Sequence, residues 1–127
     1  MRELRRTLLA MRRINEELVK AAKRVDHVRN GTMVSLRQDF SEVSGDFLCR
    51  LQELLVEREN FALFTKLQED FDEMRSALIG HQRQWTPEAI AADHDFYLKR
   101  KEIIFRKISG FIESSLAAIA DDLDAVA

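Results

Sequence analysis

Residues 40–78 read FSEVSGDFLCRLQELLVERENFALFTKLQEDFDEMRSAL, and the spacing of the large apolar side chains in this stretch decides the fold. These side chains recur every three or four residues, at Phe40, Val43, Phe47, Leu51, Leu54, Phe61, Phe64, Leu67, Phe71, Met74 and Leu78. That is the period of one helical face and not the alternation of a strand. Because burying one phenylalanine contributes roughly 1.5–3 kcal/mol, we expect the rest of the chain to cover this face.

The composition favours long helices joined by few turns. The chain has 127 residues, with four glycines and one proline, and a length of this size suits one domain over residues 1–127. The sequence therefore predicts an all-α fold, namely an antiparallel up-and-down four-helix bundle. A short extra helical turn is predicted near residues 87–92, because Thr86 and Pro87 form a typical helix start.

The first helix is predicted over residues 2–29 because it carries a heptad pattern. Its apolar positions are Leu4, Met11, Leu18 and Val25, with Thr7, Ile14, Ala21 and Val28 interleaved between them. Such spacing is typical of a seam between two packed helices. Asn30 and Gly31 are predicted to end this helix, and Thr32 to cap the next one.

The boundaries of the middle helices are harder to place from the sequence. Residues 33–79 are either one kinked helix or two helices, and in the second case Asn60 would cap a helix running from Phe61 to Ile79. The chain is expected to leave the helical path at residues 80–85. The last long helix is predicted to restart at residues 93–95 and to fray after Asp121.

The charge distribution points to a partner for the first helix. The net charge is −2, yet residues 1–29 hold nine basic and four acidic residues. Arg5, Arg6, Arg12 and Arg13 share one flank of the helix and are the predicted partner-binding residues. A protein partner or a second copy is favoured over nucleic acid, because acidic residues lie among them and no aromatic residues interleave.

No catalytic constellation, metal site or cofactor is predicted. The three histidines lack a second ligand one helical turn away, which is the simplest way for helices to hold a metal. Cys49 follows Phe47 and Leu48 and is expected to be a small buried core residue. A single cysteine excludes a disulfide framework and favours the cytosol, and no apolar run approaches the ~20 residues needed to cross a membrane.

Two segments resemble hemerythrin-like (HHE) bundle proteins. Residues 55–67, LVERENFALFTKL, are similar to the family pattern H-L-x-x-E-x-x-x-L-F-P-x-L, with Glu59 at the acid position. Residues 85–93, WTPEAIAAD, are similar to a stretch that precedes the last helix in some members. The resemblance implies a four-helix bundle. It also implies a lost iron site, because Leu55 stands where the iron-binding histidine would be, and only Glu59 and His81 are possible remnants.

Together these observations predict a non-catalytic cytosolic bundle that acts through protein–protein contacts. Self-association would use the first-helix heptads or the phenylalanine face. One alternative is a sensor or storage bundle that binds a metal or small ligand in its interior, as the family resemblance suggests. A second alternative is nucleic-acid contact through the basic first helix.

Overall fold

The computed structural model describes the backbone of residues 1–57 and 60–126 and the side chains of residues 1–57 and 60–122. Over these residues the chain forms five helices and no strand, which confirms the all-α prediction. The helices are α1 (Arg2–Ala22), α2 (Arg29–Glu57), α3 (Phe61–Gln84), α4 (Pro87–Ala92) and α5 (His94–Val126). Within the described ranges, none of them is long and apolar enough to cross a membrane.

Helix α1 runs antiparallel to both α2 and α5. Glu3, at the start of α1, forms an ion pair of 3.4 Å with Arg50, near the end of α2. At the other end of α1, the carbonyl oxygen of Ala22 lies 2.7 Å from Nε2 of His94, at the start of α5. The beginning of α1 therefore meets the ends of its two neighbours, and its end meets their beginnings.

Helix α3 runs antiparallel to α5. The side chain of Asn60, just before α3, donates a hydrogen bond to Asp122 near the end of α5. At the opposite end, the ring of His81 stacks on the ring of Tyr97, with 5.9 Å between their centroids. Helix α3 also packs against α2, and the short helix α4 packs against α5.

The main core joins the two faces that the sequence predicts. Phe47 of α2 and Phe71 of α3 lie 5.4 Å apart between ring centroids, and Phe111 of α5 meets both of them edge-on at 5.8 and 5.9 Å. The heptad residues of α1 from Leu4 to Ala21 pack into the cores. Of the phenylalanine face, only Phe61 is exposed, because it lies at the first position of α3.

A second, smaller core closes one end of the molecule. Its buried members are Ala21, Ala22, Met33, Trp85, Ile90 and Tyr97. Helices α1, α2, α4 and α5 contribute to it together with Trp85, which directly follows α3, and α4 is held there by the burial of Ile90. This end is where the polar side chains of the candidate site lie.

The predicted end of the first helix is wrong by seven residues. Helix α1 ends at Ala22, and Val25 is 85 % exposed, so the fourth heptad does not pack. The carboxylate of Asp26 accepts a hydrogen bond from the backbone N–H of Val28 at 3.1 Å and pairs with Arg24 at 2.9 Å. These local bonds favour a turn over continued helix, since short acidic side chains compete for backbone donors.

The second helix begins earlier than predicted and is separate from the third. Helix α2 starts at Arg29, so Gly31 and Thr32, which were the predicted turn and cap, lie inside its first turn. Asn60 has a left-handed backbone (φ 46°) and separates α2 from α3, so residues 33–79 are two helices. Gly80 does not stop α3, because its backbone is not left-handed and the helix continues to Gln84.

Two further predictions about helix starts are confirmed, and the predictions about the end of α5 and about Cys49 are not. Thr86 caps α4 by accepting a hydrogen bond from the N–H of Ala89 at 3.3 Å, as predicted, and α5 begins at His94. The predicted fraying after Asp121 is not seen in the backbone, which is helical to Val126. The prediction of a buried Cys49 is wrong, because two residues beyond Phe47 a helix faces the opposite way and the thiol is exposed.

Candidate anion site

The four predicted partner-binding arginines do not form a common site. Arg12 pairs with Glu113 of α5 at 3.2 Å, and Arg13 pairs with Glu17 at 3.3 Å. Arg5 and Arg6 are exposed. Two of the four guanidinium groups are therefore engaged by carboxylates of the chain itself.

The two apolar faces proposed for self-association lie inside the chain. Leu4, Met11 and Leu18 of the α1 seam are buried in the main core, as are Phe47 and Phe71 of the phenylalanine face. A second copy of the folded chain would therefore have to use a different surface.

The positions that carry the hemerythrin-like resemblance are not gathered into a site. Leu55 is partly buried and packs against the main core. Glu59 lies outside the described residues. His81 lies at the other end of α3, in the second core region, and the described residues contain no group of three His, Cys, Asp or Glu side chains placed to hold a metal ion.

Three basic side chains from three helices lie close enough at the second core for their charges to act on one another. We call Arg37 of α2, His81 of α3 and Lys101 of α5 the basic cluster. Lys101 is only 4 % exposed. An N–H of Arg37 donates to the carbonyl oxygen of Trp85 at 3.0 Å, and the ring of His81 stacks on Tyr97. The small core thus surrounds positively charged groups.

His81 is held neutral by its surroundings. Burial, together with the smaller effects of the charges of Lys101 and Arg37, lowers the pKa of its imidazole to about 4. Its Nε2 atom is buried and forms no hydrogen bond within the described structure. At neutral pH one ring nitrogen is a donor and the other is an acceptor. In either role, Nε2 is available to a bound ligand.

Lys101 is a buried charge that forms no ion pair among the described residues. Burial lowers the pKa of its ammonium to about 8, with a smaller contribution from the charge of Arg37. Across the described residues, no carboxylate forms an ion pair with Lys101 or Arg37. A pKa of about 8 still leaves the amine mostly protonated at pH 7, so the cluster carries positive charge without a counterion.

Tyr97 forms a rigid aromatic wall beside the basic cluster. Its ring lies between His81 and His94, at centroid distances of 5.9 and 6.4 Å, and meets the edge of Trp85 at 5.3 Å. Its hydroxyl donates weakly to the sulfur of Met33 at 3.9 Å. Burial raises the pKa of Tyr97, so the hydroxyl stays neutral and its position is fixed by packing.

The arrangement supplies charge and hydrogen-bond donors but no activated nucleophile. Arg37 donates one of its five N–H groups to Trp85 and also interacts with the hydroxyl of Tyr97, which leaves further N–H groups for an acceptor. Lys101 adds an ammonium, and both groups favour an oxyanion of the carboxylate or phosphate type. The chemistry that fits this cluster is therefore the binding of an anion.

Sequence reasoning missed this cluster, although part of its signal is in the sequence. Lys101 follows Tyr97 by four residues and precedes Ile104 by three, so it lies in phase with the buried stripe of α5. Arg37 is similarly four residues after Met33 and three before Phe40. A basic residue at a core position of a helix is the pattern that predicts a buried charge.

The basic cluster is distinguished among the described residues by burial, like charge and an unpartnered ring nitrogen. The cluster is formed by side chains of three helices, α2, α3 and α5. Comparison with protein-family models, with curated proteins and with solved structures finds no match for this chain.

Proposed function

We propose that this chain is a non-enzymatic, cytosolic four-helix bundle that binds a small anionic ligand in the interior of one end. The observation that carries the proposal is the buried ammonium of Lys101, which lies with Arg37 and lacks a carboxylate partner among the described residues. A buried charge is costly unless it is paired. An anion bound beside Lys101 would supply the missing partner.

The helix pairings support the bundle architecture. Helix α1 packs against α2 and α5, and α3 packs against the same two helices. Each packed pair therefore adjoins the next, which closes a ring of four helices with α4 outside it. Bundles of this kind place ligand sites between facing helices, and the basic cluster draws on three of the four.

The cytosolic location and the absence of catalysis are supported by side-chain chemistry. Cys49 is an exposed free thiol, which is typical of a reducing compartment. Beside the basic cluster, the hydroxyl of Tyr97 interacts with Met33 and Arg37 and is not paired with a base. The group most suited to proton transfer, His81, has a pKa of about 4, far below the neutral range in which a general base works best.

Isothermal titration calorimetry with sodium acetate and with sodium phosphate, each at fixed ionic strength against chloride, tests the proposal. We expect at least one of the two anions to bind the wild-type chain, and Lys101→Met to weaken that binding at least tenfold. Lys99→Met removes an exposed lysine two residues away and should leave binding unchanged. Methionine at 101 is expected to fold, because apolar groups of similar size replace buried charges without loss of stability.

Two results would overturn the proposal. One is the absence of binding by both anions up to the highest concentrations that fixed ionic strength allows. The other is equal affinity in the wild-type chain and Lys101→Met, because the anion would then be held elsewhere.

A protein partner or a second copy is the second candidate. It is favoured by two exposed apolar side chains seven residues apart on α5, Phe96 at 42 % and Ile103 at 59 % exposure. Arg100 lies over the Phe96 ring at 5.3 Å, so this stripe is both apolar and basic. If it mediates self-association, the mass measured by light scattering should rise with concentration and fall to the monomer value in Ile103→Asp. A monomer at every concentration would exclude self-association through this stripe.

A further inference from the structure

A partly open groove of about 320 Å³ runs between α2 and α3 beside the basic cluster. It exists because α2 presents small residues here, Ser41, Ser44 and Gly45, where a large side chain would fill the space. A Cβ atom added at Gly45 would meet nothing within 4 Å. The opposite wall includes Phe71 and Leu78, so the floor of the groove is apolar.

Two guanidinium groups line the same groove. Arg37 reaches it from α2 and Arg75 from α3. Neither forms an ion pair with a carboxylate in the part of the chain that the structure describes. Arg37 belongs both to this groove and to the basic cluster, so the two features are continuous through its side chain.

An unpartnered hydroxyl marks the groove independently of its charges. Ser44 is 9 % exposed, and its Oγ atom is buried and forms no hydrogen bond within the described structure. A buried polar atom without a partner is uncommon and costs about 1–3 kcal/mol. A ligand that enters the groove and carries an oxygen would provide that partner.

We infer that this groove binds an amphipathic carboxylate, with its headgroup on Arg37 and its aliphatic tail along the apolar wall between α2 and α3. The guanidinium fork of Arg37 suits a carboxylate because two parallel N–H···O bonds can form. An aliphatic tail suits the rest, because the walls beyond the arginines are mainly Phe, Leu and Ile side chains. This inference rests on the proposed function, since it names the class of anion that the interior binds.

Comparing acetate, butyrate and octanoate by isothermal titration calorimetry tests the tail separately from the headgroup. We expect affinity to rise with chain length, with octanoate binding the wild-type chain at least tenfold more tightly than acetate. Octanol, which has the tail without the charge, should bind at least tenfold more weakly than octanoate. Arg37→Gln should weaken acetate and octanoate alike.

A larger side chain at Gly45 tests whether the tail lies in the groove, and the same substitution at Gly110 is the matched control. Gly45→Leu places a side chain in the open space of the groove, so octanoate should lose at least fivefold in affinity while acetate is unchanged. Gly110→Leu makes the same change at an equally open helical position on α5, outside this groove, and should leave octanoate binding as it is. Circular dichroism checks that both variants remain helical.

The outcomes separate this inference from the proposed function. If acetate binds and octanoate binds no more tightly, the tail is not recognised, and the inference is wrong while the anion site stands. If octanoate binds more tightly but equally well to Gly45→Leu, the tail lies elsewhere, and the inference is again wrong. If neither acetate nor phosphate binds, the proposed function is overturned, and the inference falls with it, because any binding of octanoate would then not depend on an anion site.

Discussion

The buried charge of Lys101 lowers the stability of the folded chain, and the same charge is the one that we propose binds an anion. Its pKa of about 8 in the folded chain lies below the ordinary value of 10.5, so the folded state disfavours the charged form. The contribution of Lys101 to the free energy of unfolding therefore becomes less favourable as the pH drops from 10.5 to 8, because the unfolded chain takes up its proton first. Below pH 8 that cost is fully present.

Replacing Lys101 by methionine should remove this cost. At pH 7 we expect Lys101→Met to raise the free energy of unfolding, by up to about 3 kcal/mol if the whole shift of the pKa is recovered. Urea denaturation of the ligand-free protein measures the change in the free energy of unfolding. Lys99→Met, at an exposed position, is the control and should change that free energy little. A clear loss of stability in Lys101→Met would mean that the ammonium is satisfied by partners within the chain.

His81 should make the stability of the fold sensitive to mild acid. Its folded pKa of about 4 lies below the ordinary 6.5, so the unfolded chain binds a proton first as the pH falls through 6.5. Lys101 of α5 and Arg37 of α2 face the ring and oppose its protonation. Between pH 7 and 5 we expect a loss of about 1 kcal/mol, an amount reduced because the ring is partly exposed.

Substitution isolates the contribution of this ring. Between pH 7 and 5, His81→Gln should lose about 1 kcal/mol less stability than the wild-type chain. His27→Gln, at an exposed position in the α1–α2 turn, should follow the wild-type curve. Equal slopes for His81→Gln and wild type in urea denaturation would show that His81 is not held neutral.

Single helices were predictable where one physical signal dominated. The period of three and four residues identified the faces of α1, α2 and α3, and the Thr86–Pro87 pair located α4. The predicted ends of α1 and α3 are wrong because Gly31 and Gly80 lie within helices and do not end them. In both places the backbone is helical, and local hydrogen bonds of Asp26 decide the first turn instead.

Among the described residues of the break between α2 and α3, Asn60 has a left-handed backbone. Asn60 has φ 46°, a conformation that costs roughly 1–2 kcal/mol for most residues and little for glycine. Both Asn60→Ala and Asn60→Gly lose the hydrogen bond to Asp122. We therefore expect Asn60→Ala to be less stable than Asn60→Gly by about 1 kcal/mol in urea denaturation. Equal stability of the two variants would mean that the turn does not require the left-handed backbone.

Across the entire chain, the core was far easier to predict than the candidate site. Hydrophobic spacing is repeated at every turn, so an error at one position leaves the face intact. The basic cluster depends on three residues that are 44 and 20 positions apart along the chain, Arg37, His81 and Lys101. Only the packing of α2, α3 and α5 brings them together, and no local pattern in the sequence encodes that meeting.

The groove likewise arises from the packing of two helices. Ser41, Ser44 and Gly45 are small residues in the middle of α2, where a helix can either bend or approach another helix closely. In the structure, they leave open space between α2 and α3. Small residues permit either outcome, and the large side chains of the neighbouring helix decide which of the two occurs.

An anion bound to Lys101 and Arg37 must change the titration of His81, because their charges help to hold its pKa near 4. The most direct test is therefore an NMR pH titration of the His81 ring in chloride and in saturating trifluoroacetate at the same ionic strength, because this carboxylate stays ionised through the pH range in which His81 titrates. The exposed His27 ring reports any general effect of the salt. We predict that trifluoroacetate raises the pKa of His81 by at least half a unit. An unchanged pKa of His81 would contradict the binding of an anion at the basic cluster.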